Sequence, residues 1–119
     1  MVDNNNDKVL SELLKAMSDV TRRSLLTKLV QQGSCRVTDL AEYYEMSLNA
    51  ISKHLKVLEK ADLIKRTKVG RIHWIEADLA QVAIVESWFN ELKSIWDLRL
   101  DRLEEVLTKE CDEELGTKD

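Results

Sequence analysis

The sequence predicts a mainly α domain with one small β-hairpin, in the order helix–helix–helix–helix–hairpin–helix. Three observations carry that class. The 119 residues include no Pro and only three Gly, a composition that disfavours an all-β sandwich. Apolar residues recur at three- and four-residue steps through most of the chain, the spacing of amphipathic helices. Between Leu63 and Glu76 that period breaks. The stretch "LIKRTKVGRIHWIE" is short and branched, with Gly70 near its middle, and reads as two strands around a turn.

Each element can be placed in order. Residues 1–6 are polar and are expected to be disordered. From Asp7 to Met17, the apolar positions Val9, Leu10, Leu13, Leu14 and Met17 follow helical spacing. A second helix is expected from Val20 to Gln32, with Asp19 as its N-cap, Leu25, Leu26, Leu29 and Val30 inward, and Gly33 just past its end. A short third helix covers Thr38 to about Tyr44. Glu45 and Met46 make a turn, and Ser47 caps a fourth helix from Leu48 to Ala61. After the hairpin, a long helix runs from about Asp78 to Thr108. The chain thus divides into a domain over residues 7–108 and an acidic tail over 109–119.

Composition excludes several classes. The N-terminus has neither a basic start nor an apolar run, so it does not read as a signal peptide. No apolar run approaches the ~20 residues of a membrane span, and the expected location is the cytoplasm. Cys35 and Cys111 stand 76 residues apart, which is no disulfide framework, and in a reducing compartment both are expected as free thiols. No Gly-rich phosphate loop, metal cluster or acid–base pair beside a nucleophile is visible, so nothing suggests an enzyme or a cofactor.

Charge is distributed unevenly. Residues 46–74 hold seven Lys and Arg against two acids, a local +5 in a chain of net −4, which leaves −9 for the remainder. On a wheel of about 100° per residue, Ile51, Leu55 and Leu58 form one stripe of the fourth helix, flanked by Leu48 and His54. Asn49, Lys53, Lys56 and Lys60 form the opposite stripe. The hairpin adds Lys65, Arg66, Lys68 and Arg71 around a glycine tip. A solvated lysine face would explain the helix alone. A cationic helix beside a cationic hairpin, after a short helix and a tight turn, also matches the phosphates flanking a DNA major groove.

At this point three segments resemble a known family. "SDVTRRSLLTKLV" (Ser18–Val30), "VTDLAEYYEMSLNAISKHLKVLEKADLI" (Val37–Ile64) and "KVGRIHWIE" (Lys68–Glu76) are similar to the ArsR-type (ArsR/SmtB) winged helix-turn-helix regulators, over roughly residues 9–107. The resemblance implies a homodimeric bacterial repressor, dimerising through its first and last helices, with double-stranded DNA as partner. It implies that Ser47, Asn49, Ala50, Ser52 and Lys53 face the major groove. Lys56 would meet a phosphate, and Lys68 and Arg71 on the wing the backbone or minor groove. His54, Arg66, Arg22 and Arg23 are further DNA-binding candidates. For His54 a buttressing role competes; for Arg22 and Arg23, helix capping and surface pairing compete.

The family's sensing sites can be checked by position. Its best-known metal motif places Cys-x-Cys before an Asp-Leu pair. Here Asp39-Leu40 are present, but Arg36 and Thr38 stand at the cysteine positions and supply no soft thiolate. The other arrangement uses histidine and acidic ligands along the last helix, yet residues 78–108 contain no His. No metal is therefore expected. Some relatives pair cysteines of the second and last helices as a thiol switch; Cys35 and Cys111 both look offset from that pattern, and a redox-sensing repressor stays an alternative. A small-molecule effector is unknown.

The last helix resembles a tryptophan-rich subset of the family. Trp88, Phe89, Leu92, Trp96, Leu100, Leu103 and Leu107 make more apolar stripe than a chain of this length easily buries, which predicts a partner surface. With Leu10 and Leu13 of the first helix, they are the expected dimer interface, although the two tryptophans could instead line a pocket between subunits. A winged helix serving as a protein-interaction or scaffold module, without specific DNA binding, is the rival class.

Overall fold

Helix starts and stops follow the local chemistry of this chain. The computed structural model describes the backbone of residues 4–117 and the side chains of residues 6–109. Helix α1 spans Asn4–Met17 and α2 spans Val20–Gln32. Between them Asp19 is extended, and its side chain accepts a hydrogen bond from the Arg22 backbone N–H at 3.0 Å, the expected N-cap. Gly33, with φ of 82°, closes α2 by donating its N–H to the Leu29 carbonyl.

Strand β1 (Cys35–Arg36) then leads into α3 (Val37–Tyr43), and α4 runs Leu48–Lys60. The turn between α3 and α4 is a Schellman motif. Met46 N–H reaches the Ala41 carbonyl and Glu45 N–H the Glu42 carbonyl, with Glu45 left-handed at φ 53°. The end of α4 repeats this through Leu63, Leu58, Asp62 and Glu59, with Asp62 at φ 58°. Both reversals occur without glycine.

Strands β2 (Ile64–Val69) and β3 (Ile72–Ala77) form the hairpin, in register from Ile64 opposite Ala77 to Val69 opposite Ile72. Only the first loop residue, Gly70, has positive φ. That is the pattern of a type II′ turn, which takes glycine there. Strand β1 adds to the far side of β3, giving an antiparallel sheet of order β1-β3-β2. The third strand departs from the expected hairpin. It is two residues long, too short to display a period, and it forms only because β3 offers an edge.

The residues up to Val85 and those from Glu86 onward make two units. In the first, Leu13, Leu25, Leu29, Leu40, Ile51, Leu55, Leu58, Leu63 and Ile75 are fully buried, and they draw α1–α4 and the sheet onto one core. The start of α5 (Val82–Thr117) adds Val85 to it. The second unit is the rest of α5, whose apolar residues from Phe89 to Leu107 are exposed in this chain.

Several expectations need correction. Helix α1 begins at Asn4, so residues 4–6 are helical; residues 1–3 lie outside those described. Helix α5 starts at Val82, because Asp78 accepts from the Ala80 N–H and holds a turn there. Its backbone continues to Thr117, since Lys109, Glu110, Glu113, Glu114 and Leu115 are good helix formers; side chains from residue 110 lie outside those described. Val30 points outward at 53% exposure. Leu13, assigned to a dimer interface, is 0% exposed within this chain and has no surface left for a partner. Leu14, 37% exposed, is the free leucine of α1.

Candidate nucleic-acid interface

Helix α4 is fixed from two sides. Ile51 and Leu55 are 0% exposed and Leu58 1%, so one stripe is locked into the core. Ser47 is extended ahead of the helix, and its Oγ accepts the Ala50 N–H at 3.1 Å. The opposite stripe is thereby turned outward: Ser47, Asn49, Lys53 and Lys56 are exposed, with Ala50 and Ser52 half-buried beside them. An expected result follows from the cap. Ser47→Ala should lower unfolding free energy by about 1 kcal/mol, read by urea denaturation, and Ser47→Asp should keep most of that stability.

The wing places Lys68 and Arg71 in the open at its tip, next to exposed Val69 and Ile72. Arg66 sits differently. It is half-buried, with Nε 3.2 Å from Glu59 Oε2 on α4, so the strand cation is tied back to that helix. Lys60 reaches Glu12 of α1 at 3.9 Å and Lys65 reaches Asp78 at 3.6 Å. Among the described residues, Lys53, Lys56, Lys68 and Arg71 make no ion pair. On α4 and the wing, these four are the cations without a carboxylate partner among the described residues.

Arg22 and Arg23 are engaged by the end of α1. Arg22 Nε donates to the Ala16 carbonyl at 2.8 Å and Nη2 to Lys15 at 3.0 Å. Arg23 Nη1 donates to Met17 at 2.6 Å. The two guanidinium groups donate to carbonyls of the last turn of α1, which lack the next helical turn as partner; that is the capping role.

His54 also turns away from the exposed stripe. Its side chain is 22% exposed, with Nδ1 3.8 Å from Asp19 Oδ2, which links α4 to the α1–α2 corner. The Arg22 backbone hydrogen bond holds the Asp19 carboxyl below the usual carboxylate range, with the charges of Arg22 and His54 adding. A carboxyl lowered in the folded state stabilises above its ordinary value of 3.8 and loses that contribution as pH falls through the folded value. Asp19→Asn should therefore be less stable than wild type near neutrality. It should lose less melting temperature between about pH 6 and about pH 3, as followed by circular dichroism.

Helix α3 is tied to α2 by aromatic residues. Tyr43 and Tyr44 stack edge-on at 5.0 Å, Lys28 Nζ lies 3.6 Å from the Tyr43 ring centre, and Ser24 Oγ and Tyr44 Oη share a hydrogen bond of 2.9 Å. Two residues that the sequence did not point to DNA also lie beside α4 and the wing. Strand pairing sets Arg36 opposite Trp74, and Arg36 and Thr38 line one concavity with Ser52, Arg66 and Arg71. No short-range signal could have found them, because a long-range strand pair brings them there.

Among the described residues, no three of His, Cys, Asp and Glu gather where they could hold a metal ion, and no helix is long and apolar enough to cross a membrane. Cys35 is half-buried, and its thiol points to the Gly33 carbonyl at 3.6 Å. The Cys111 side chain lies outside the described residues.

Comparison with known proteins agrees with this architecture. The sequence profile of the bacterial regulatory protein arsR family matches residues 19–66, from the N-cap of α2 into β2. The transcriptional repressor SdpR of Bacillus subtilis strain 168 is 36% identical over 62 residues, covering 52% of this chain and 68% of the repressor. The arsenical resistance operon repressor of the same strain is 36% identical over 80 residues, covering 61% and 74%. In three dimensions, an ArsR-like transcriptional regulator from Rhodococcus sp. RHA1 superposes with a TM-score of 0.78 at 27% identity, over 91% of this chain and 98% of that one. Sharing sequence and fold with these proteins, the chain belongs to the arsR family of bacterial regulatory proteins, winged helix-turn-helix regulators of transcription.

Proposed function

We propose that the protein is a homodimeric, sequence-specific repressor that binds a pseudo-palindromic operator. One observation carries this reading: α4 is buried along Ile51, Leu55 and Leu58 and exposes Ser47, Asn49, Lys53 and Lys56, while the wing exposes Lys68 and Arg71 without carboxylate partners among the described residues. Two such helices about one DNA turn apart, ~34 Å, would read two half-sites. Lysine and arginine give affinity by releasing counterions, and Ser47, Asn49, Ala50 and Ser52 give sequence preference at base edges. Repression follows from occupying a promoter. The dimer is supported by the exposed apolar residues of α5, and Leu10 and Leu14 of α1 are the further contributors.

Fluorescence anisotropy with duplex from upstream of the protein's own gene tests the reading, titrated from low to physiological salt against scrambled competitor. Tight binding that survives the competitor and weakens steeply with salt is the expected result. Equal displacement by scrambled duplex at every promoter tried would leave the winged helix as a protein-interaction module.

A further inference from the structure

Between the N-terminal half of α4, the wing and the start of α3 lies a cavity of about 380 Å³. Its polar lining is Arg36, Thr38, Ser52, Arg66, Arg71 and His73, with Leu48 and Ile72 on an apolar wall. Among the described residues, no Asp or Glu lines it. The acids nearby orient the arginines from outside. Asp39 accepts from Arg36 Nε and Nη2 at 2.9 and 3.2 Å, leaving three of the five guanidinium N–H groups free. These hydrogen bonds also hold Arg36 charged more firmly than usual. Glu59 accepts from Arg66 Nε alone, leaving four. His73 Nδ1 is buried with no hydrogen-bond partner among the described residues. A proton there would lack an acceptor, so the neutral ring carries it on Nε2 as a donor.

The cavity is therefore rich in donors, poor in acceptors and cationic, with an apolar side. Planar guanidinium groups suit the oxygens of phosphate, and the apolar wall suits the carbon group esterified to it. The adjoining groove along Lys56 and Lys60 contains Glu59 and is the poorer anion site.

We infer that this cavity binds one phosphate ester. The ester is either a backbone phosphate of duplex DNA or the phosphate of a free phosphorylated small molecule, which would then compete with duplex for the same arginines. The DNA source rests on the function proposed above; the free source does not.

The test has two arms. In the first, the whole protein is titrated with phenyl phosphate at constant ionic strength, following Arg Nε–H and His ring signals by NMR. Saturable shifts at Arg36, Arg66, Arg71 and His73 are expected, lost in Arg36→Gln/Arg71→Gln and kept in Lys15→Gln. Thr38→Glu, which puts a carboxylate on the lining at an exposed helical position, should abolish them without loss of fold. In the second, single methylphosphonates are walked along a bound duplex. One position per half-site should cost wild type roughly tenfold, as for a charge-assisted hydrogen bond, and cost Arg71→Gln nothing further.

Shifts without a coupled methylphosphonate assign the cavity to a free ligand. A coupled position without shifts assigns it to the DNA backbone, and both together establish competition. The absence of both, no saturable shift and no coupled methylphosphonate position, overturns the inference. Should wild type bind no duplex at all, the DNA reading fails, and the phenyl phosphate arm still decides the cavity.

Discussion

Replacing Trp96 with glutamate is expected to leave each protomer folded, to convert the proposed dimer to monomer and to weaken duplex binding by about two orders of magnitude or more. The indole is 62% exposed in the isolated chain, so its loss removes little intrachain packing, and Glu is a good helix former. Along α5 the apolar residues Phe89, Leu92, Trp96, Leu100, Leu103 and Leu107 advance by three and four and are 44–62% exposed. That is the spacing by which a helix packs against another. Trp96 lies near the middle of this run, where an aromatic side chain typically dominates interface energy. Its truncation alone costs about 2 kcal/mol or more, roughly thirtyfold in dimer affinity. A carboxylate with no partner at the same place adds the cost of burying a charge. A monomer reaches one half-site and forgoes the 10²–10⁴ that linkage of two sites confers, a rough range. Sedimentation velocity and anisotropy on the same preparation check both halves. A dimeric Trp96→Glu would place the interface elsewhere, and a monomeric wild type would remove the dimer from the proposal.

The interior of this fold was legible because its signals are local. Ser47 and Asp19 announce helix starts through side chains that reach three residues ahead, and both hydrogen bonds are present. Ile51, Leu55 and Leu58 share a stripe by helical geometry alone, whatever packs on it. What was not legible depends on partners distant in sequence. Leu13 and Leu14 are neighbours on one wheel, and only the packing of α2 and α4 decides that Leu13 is buried and Leu14 is not. Arg22 and Arg23 carry charges that suit DNA, but the chain reversal at Ser18 puts the α1 carbonyls within their reach. Arg36 and Thr38 read only as the places where relatives carry cysteines, until β1 pairs with β3 and sets them beside the wing. The chain thus shares a family with a repressor named for arsenical resistance while presenting cationic and hydroxyl groups at those two positions.

Neutralising Lys53, Lys56 and Arg71 together should leave dimerisation intact, since none belongs to the α5 stripe, and should remove most of the salt dependence of DNA binding. With about four phosphates neutralised per protomer, a dimer releases counterions from about eight, a log–log slope of roughly −7. Removing three cations per protomer leaves about two phosphates neutralised per dimer and a slope near −2. At physiological salt the corresponding loss is roughly 10³–10⁴ in affinity. Lys53, Lys56 and Arg71 are exposed and make no ion pair among the described residues, so the changes cost little stability and the loss can be read as binding. Van't Hoff melts and sedimentation on the variant establish that. The ratio of operator to scrambled binding then separates two roles. If it survives while both affinities fall, these cations grip the backbone and the preference resides in Ser47, Asn49 and their neighbours. If it falls with them, Lys53 reads bases, as its place on the exposed stripe near the start of α4 allows. An unchanged slope would mean that a different face of the protein meets DNA.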